Sequence, residues 1–498
     1  MRNLGLKISR LFLLPSLHAF FIETMTQEDT TNVQIPYVEI QPDFQETIAE
    51  VKNEDRSNDE GADQTVYVNV QSDADNIIFE DKIKVCKPVS LDAEPEFISL
   101  KYKNSFLKED HADPGRRYTY KNSEQNITAT FKCPEVVEIV DARSDDLNNL
   151  ELQTGESNRY TAVDATSTGE KVVLGDFDGF VKILVRPDAS GHKYSIIKTL
   201  KAHAGLITKI YIFPSDKVML TSSTDRSIQL FSLEHDYSNP RGFFGHSEPV
   251  RDLALIANGR NFLSCADDGT VKLWECGSGL CVHTFTKKSG HFYNPVVAIA
   301  VSQLLDFFSS GKHDDVYESL ETSTSSLEFN TKGCAVFAAY ESGHIACFDI
   351  FTKTQIMEMK SPFDKTVACT AMCFDAESKS LITGYSDGTI CHWAIFVQKR
   401  GNCTNTTDFS KILSVNCELV KMYTFQKGSE ITRLAVDKNQ LFVSSQFDAN
   451  VIINLQNDAS DARYLVCDSK SISDYKLDSQ TKKVYVAGND DLFREYSL

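Results

Sequence analysis

Two histidines stand at equal distances ahead of acidic turns. His246 precedes Asp268 by 22 residues, and His203 precedes Asp225 by the same 22. A hydroxyl falls inside each interval, Ser264 in one and Thr221 in the other. Brought together, a serine, a histidine and an aspartate are the parts of a hydrolase, in which the imidazole takes the hydroxyl proton and the carboxylate orients the ring. Closed off from solvent, the same groups make a structural relay that ties a turn to a strand. Trp274 and Phe231 follow at matching places, and Thr383, Asp387 and Trp393 repeat the pattern downstream without a histidine. The structural reading is preferred, so no catalytic residue is assigned.

The elements around these residues recur. Seven stretches align on one turn: "DFDGFVKIL", "STDRSIQLF", "ADDGTVKLW", "YESGHIACF", "YSDGTICHW", "QFDANVIIN" and "GNDDLFREY", beginning at 176, 223, 266, 340, 385, 446 and 488. Their turn residues, Asp178, Asp225, Asp268, Ser342, Asp387, Asp448 and Asp490, are spaced by 47, 43, 74, 45, 61 and 42 residues. Four of the six intervals fall near the ~40–45 residues of a four-stranded propeller blade, and the other two call for insertions. Each unit reads as an apolar run, a D-G-like turn that tolerates positive φ, and an alternating strand. A lone four-stranded sheet leaves two apolar faces wet, and radial stacking covers both. The pattern predicts an all-β chain, a seven-bladed WD40-type β-propeller over 156–498 with a smaller β-rich N-terminal domain over 25–155. In that reading His246, Ser264, Asp268 and Trp274 form the hydrogen-bonded tetrad of a WD repeat, and His203, Thr221 and Asp225 form its counterpart.

The last unit ends after its third strand, so the seventh blade needs a strand from the N-terminal side to close its edge. "EFISLKY" (96–102) and "ITATFKC" (127–133) are the two candidates. The insertions, about 303–330 and 397–416, fall between first and second strands of blade four and between third and fourth strands of blade five. Both connections emerge on one face and leave the opposite, top face compact. A compact, rigid face suits recognition of a folded partner.

Composition narrows the function. A net charge of −19 argues against nucleic acid or an anionic membrane as the main partner. Thirteen scattered cysteines without paired C-x2-C knuckles argue against zinc and for a reducing compartment, cytoplasm or nucleus. "GKHDDVYE" (311–318) clusters a histidine with acids, but reads as a solvated loop rather than a cation site. No phosphate-binding loop, nucleophile elbow or H-E-x-x-H is present, so no cofactor or metal is assigned. Residues 1–24 begin with a basic stretch and a short apolar run, and are read as a non-structural extension ahead of Met25.

Residues 237–285 carry more than a generic repeat. The "SNPR…GH" lead, the "GRN-x-LS" strand and the "LWECG-x-G" exit together resemble the proteasomal ATPase-associated factor family, the WD-repeat chaperones of proteasome regulatory-particle assembly. The likeness extends more weakly over most of 155–498, through "RYTAVDATSTGEKVVLG", "TSTSSLEF" and "LFVSSQFDANV". It implies a non-enzymatic, monomeric chaperone that binds the C-terminal domain of an ATPase subunit of the regulatory-particle base. A WD-repeat substrate receptor or scaffold of a ubiquitin ligase is the alternative. Family contact residues are not fixed by a short motif. The candidate partner-binding residues are therefore drawn from top-face geometry: Glu248, Asp267, Glu341 and Glu430 as acceptors for lysine or arginine, with Phe177 and Phe447 as apolar anchors.

Overall fold

Runs such as Asn261–Ala266 (NFLSCA) and Ser380–Tyr385 (SLITGY) are buried at every position. They have no polar face because both of their faces are covered, as for any strand inside stacked sheets. Each is the second strand of an antiparallel blade lying between two like it. This computed structural model describes most of residues 31–497; the longer stretches outside the described residues are 1–30, 54–63, 87–95, 142–158, 187–192, 288–293, 308–324, 400–412, 457–461 and 468–471, with shorter gaps such as 364–366, 426–428 and 447–449.

Seven sheets form the ring. Their first strands are Tyr160–Ala165, Ile207–Ile212, Val250–Ile256, Val296–Gln303, Cys369–Asp375, Ile431–Asp437 and Ile472–Asp478. Each touches the next, and the seventh touches the first. The architecture is therefore a seven-bladed WD40-type β-propeller. Apolar side chains pack between neighbouring blades. One cluster joins Leu220, Ile228 and Phe243 of blade two to Val250, Phe262 and Trp274 of blade three.

Every first strand carries a bulge at the same place. The residue left out of the ladder is Thr161, Thr208, Arg251, Val297, Thr370, Thr432 or Ser473. A bulge bends its strand and re-aims one side chain. In blades one and five the re-aimed threonine donates to the next blade's first strand, Thr161 to the Ile207 carbonyl at 2.7 Å and Thr370 to the Ile431 carbonyl at 2.6 Å. A glycine lets those strands approach: a Cβ on Gly384 would meet Ile431 Cγ2 at 2.6 Å. Gly384→Ala is expected to cost about 1–3 kcal/mol by overpacking this seam, read as a lower urea midpoint at unchanged slope; a change within error would show that the blades spread freely.

The turns at the top follow the D-G reading. Gly179 has φ 84°, and a Cβ there would collide with the His203 carbonyl. Blade two holds Arg226 at φ 74° in the equivalent place. The two insertions connect Gln303 to Cys334 in blade four and Lys399 to Leu413 in blade five. In blade five the ladder runs out to Lys399 paired with Leu413, so 397–399 and 413–416 belong to a long hairpin rather than to the insertion.

Ring closure differs from the sequence expectation, because neither candidate strand completes blade seven. Glu96–Ser99 pairs with Asn76–Cys86 in a separate sheet, and Ile127–Lys132 adds in parallel to Arg463–Leu465 on the outer edge of blade six. The backbone contact to blade seven's third strand, Phe493–Ser497, is an antiparallel bridge from Glu135 to Glu495. The chain then pairs Glu138–Asp141 in parallel with the fourth strand of blade one. One segment, 127–141, thus laces blades six, seven and one. Lys132 donates to the Ser497 carbonyl, and the Ser497 hydroxyl donates to Glu135 at 3.0 Å.

Inside this seam Glu495 takes Arg186 of blade one and Lys483 of blade seven as ion-pair partners, and accepts from the Tyr194 hydroxyl at 2.9 Å. Burial pushes its carboxyl upward, but the Arg186 and Lys483 bonds overcome that and hold it below the ordinary glutamate range.

The preceding residues rest against blades five and six. Thr31–Gln34 pairs in parallel with Lys421–Thr424 at the edge of blade five. Strands Tyr37–Ile40, Gln64–Asp73, Asn76–Cys86 and Glu96–Ser99 form an antiparallel sheet contacted by the helix Phe44–Asn53. Phe44, Val66 and Tyr118 share one apolar cluster with Tyr423 and Tyr464 of the ring.

Candidate functional site: the tetrads and the top face

The triad-like residues do meet, but out of reach of any substrate. Trp274 Nε1–H donates to Ser264 Oγ at 2.8 Å. The serine hydroxyl therefore turns its proton to His246 Nε2, also 2.8 Å away. The ring proton then sits on Nδ1 and is donated to Asp268 Oδ2 at 2.8 Å. Asp268 also accepts from the Ser247 N–H, the Thr270 N–H and the Thr270 hydroxyl. Ser264 is fully buried and its oxygen is already engaged, so it cannot attack a substrate.

The counterpart in blade two joins His203 Nε2 to Thr221 Oγ1 at 2.8 Å and Nδ1 to Asp225 at 3.1 Å. Phe231 offers no N–H, and the relay stops at Thr221. In blade five Trp393 donates to Thr383 at 2.9 Å, and Asp387 caps the Thr389 N–H at 3.0 Å.

Burial pushes the Asp268 carboxyl up, and the bonds from His246, Thr270 and Ser247 overcome it, holding the group down at about 2. A carboxyl with an unfolded value near 4 and a folded value near 2 adds roughly 2 kcal/mol above pH ~4, lost as the pH falls toward 2. The stability gap between wild type and Asp268→Asn should therefore close by about that amount between pH 5 and pH 2.5 in urea titrations. A gap independent of pH would contradict the tetrad's protonation state.

The rim residues separate into groups. Phe177 is 45 % exposed, and the Arg159 guanidinium lies 4.6 Å from its ring centre. Glu248 is half-buried in the loop between blades two and three. Glu341 is exposed and Glu430 half-buried, and both border a cavity of about 510 Å³ at the top of the central channel. Phe447 lies outside the described residues.

Asp267 departs from its expected role as an open acceptor. It is buried, and Arg251 Nε bonds it at 2.7 Å. The bulge of blade three swings Arg251 to the cavity mouth, where it reaches the neighbouring turn; Asp267 holds the guanidinium above its ordinary value.

The sequence reading missed the cavity's own lining. Six of the seven bulge residues border it, together with Arg433 and Cys369. A hydroxyl or charged residue at the second position of six of the seven first strands, with Val297 the exception, was the available signal. Below it a second cavity of about 460 Å³ is lined by Lys209, Asp252 and Arg433 together with small apolar residues such as Ala298, Ala371 and Cys373. Lys209 bonds Asp474 at 2.9 Å, and Lys476 pairs with Asp164 at 2.7 Å. Burial pushes the Cys369 thiol up to about 12, which keeps it protonated and a poor nucleophile. Among the described residues no group of three or more His, Cys, Asp or Glu is placed to hold a metal ion.

The WD domain, G-beta repeat family model matches residues 194–232, 238–275 and 355–394. Each matched unit takes the fourth strand of one blade and the first three of the next, which fits a blade seven whose outer strand must come from ahead of blade one. The chain is 29 % identical over 306 residues to the 26S proteasome regulatory subunit RPN14 of Saccharomyces cerevisiae, covering 61 % of this chain and 65 % of that one, just short of two thirds of the relative's length. Shorter likenesses reach pre-mRNA-processing factor 17 of Mus musculus, 34 % over 93 residues (18 % of this chain, 16 % of that one), and the small ribosomal subunit protein RACK1 of Schizosaccharomyces pombe, 36 % over 92 residues (18 % and 29 %). Fold, tetrads and comparisons agree on one conclusion: the chain is a propeller of WD-type repeats, similar over 306 residues to a proteasome regulatory subunit.

Proposed function

We propose that the chain is a non-enzymatic assembly chaperone of the 26S proteasome regulatory-particle base, holding the C-terminal domain of an ATPase subunit on the top face of its propeller. The observation that carries this reading is the 306-residue likeness to a proteasome regulatory subunit. The top face supports the mode of binding. Glu341 and Glu430 stand at the cavity mouth, Glu248 stands farther out, and the whole chain carries a charge of −19. A basic domain is steered to such a surface, and a partly polar contact stays reversible, as a chaperone requires. The tetrads support a scaffold by closing their histidines, hydroxyls and acids into a saturated network. The twelve described cysteines are all free thiols, which supports the reducing cytoplasm and nucleus as its location. Affinity purification of the tagged full chain at low salt tests the biological role. Base ATPase subunits are expected among the co-eluting proteins; recovery of a ubiquitin-ligase adaptor with no proteasome component would contradict it.

A further inference from the structure

The cavity of about 510 Å³ at the top of the central channel is lined by charged groups of both signs. Its two arginines, Arg251 and Arg433, are each held through Nε. Arg251 Nε bonds Asp267 at 2.7 Å. Arg433 Nε donates to the Ser473 carbonyl at 2.9 Å and lies 3.5 Å from Asp474. Among the described residues the Nη groups of both arginines have no protein partner. A planar guanidinium fixed at one nitrogen keeps its remaining donors pre-aimed as a fork for a carboxylate. Its charge is already answered by Asp267 in one case and Asp474 in the other.

The acids of the cavity are the reverse case. Glu341 and Glu430 border it, and among the described residues neither carboxylate has a hydrogen-bond or ion-pair partner. Asp267 above all, and Glu341 in addition, hold the Arg251 guanidinium above its ordinary value, which places Glu341 in the same field as that fork. Thr161, Thr208, Thr370 and Ser473 add hydroxyls that donate or accept. The cavity therefore offers aimed donors without surplus positive charge, and two carboxylates without a counter-charge. A simple anion is repelled there, and a simple cation leaves both forks unfilled.

We infer that this cavity takes the C-terminal residue of a partner protein, a lysine or arginine whose free carboxylate docks on the Arg251 and Arg433 forks while its basic side chain pairs with Glu341 or Glu430. A basic terminal residue brings both groups at once and carries no net negative charge into an acidic rim. A cavity of about 510 Å³ is the size of a pocket for one small ligand, so a chain end, which enters once, fits better than a loop that must pass in and out. The inference rests on the top-face reading for the surface that the partner covers, and adds which part of the partner enters.

The test follows the anisotropy of a Gly-Ser-Ala-Arg-Leu-Lys peptide, labelled with fluorescein at its N-terminus and free at its C-terminus, against the full chain in about 50 mM NaCl. The C-terminal amide of this peptide, and a version ending in leucine, are each expected to bind roughly tenfold more weakly. Arg251→Lys and Arg433→Lys keep a positive charge beside Asp267 and Asp474 but lose the fork. Each should weaken the free-carboxylate peptide roughly tenfold and leave the amide unchanged. Matching melting temperatures identify the variants as folded. Free L-lysine, at the concentration of unlabelled peptide that displaces the label, should displace none of it; full displacement would make a free amino acid the ligand and overturn the proposal. Absence of binding, equal binding of acid and amide or of lysine and leucine ends, or equal affinity across wild type and both variants would overturn it too. The chaperone reading fails separately. An ATPase domain that binds a chain deaf to the peptide removes this inference alone, and a peptide that binds where no ATPase domain does removes that reading alone.

Discussion

Glu495→Ala is expected to destabilise the chain by about 3–5 kcal/mol, because it strands charges in a closed seam. Glu495 has a side-chain exposure of 2 %, and its partners Arg186 and Lys483 are only 13 and 20 % exposed. Removing the carboxylate leaves both cations and the Tyr194 hydroxyl without their shared acceptor. It also loosens the seam where three-stranded blade seven meets blade one and the strap at Glu135. The wild-type contribution carries a sign in pH: a depressed folded value adds stability above the ordinary glutamate range and loses it as the pH falls below. Urea denaturation at pH 7 checks the loss, and repetition near pH 3.5 should show a smaller difference between wild type and variant. A loss under about 1 kcal/mol at pH 7 would mean that the strap at 127–141 closes the ring without this ion cluster.

Trp274→Ala is expected to cost a similar ~3–5 kcal/mol, for a different reason. The indole is 1 % exposed, lies 5.9 Å from the Phe243 ring of blade two and 6.4 Å from Phe262, and donates to Ser264. The substitution opens a cavity between two blades and removes the donor that fixes the Ser264–His246–Asp268 proton order. Trp274→Phe keeps most of the volume and loses the N–H, which makes blade three resemble blade two with its Phe231. It should cost only about 1–2 kcal/mol. Equal losses from the two variants would show that the hydrogen bond, not the packing, dominates.

The ring was readable because its signals are local. The D-G turn, the apolar run before it and the alternating strand after it all lie within a dozen residues, and they recur. The tetrads were readable for the same reason: His246, Ser264, Asp268 and Trp274 fall inside one repeat. The strap was not. Ile127–Lys132 pairs with Arg463–Leu465 more than 300 residues away, and parallel pairing at a sheet edge has no turn to announce it. "ITATFKC" has the pattern of a strand, but pattern alone does not say which blade it joins. Asp267 was misplaced because its partner Arg251 is brought to the rim by a bulge, which adds one residue without changing composition. The second insertion was overdrawn because the ladder of blade five continues through residues such as Gln398 and Ser414 that look like loop.

Titration calorimetry of the full chain against the isolated C-terminal domains of the proteasomal ATPase subunits addresses the central claim most directly, with wild type beside Glu341→Lys/Glu430→Lys. The account predicts that a basic ATPase domain binds wild type and that the double reversal weakens it roughly tenfold or more at an unchanged melting temperature. Binding of no ATPase domain, or the same affinity after the reversal, would contradict it.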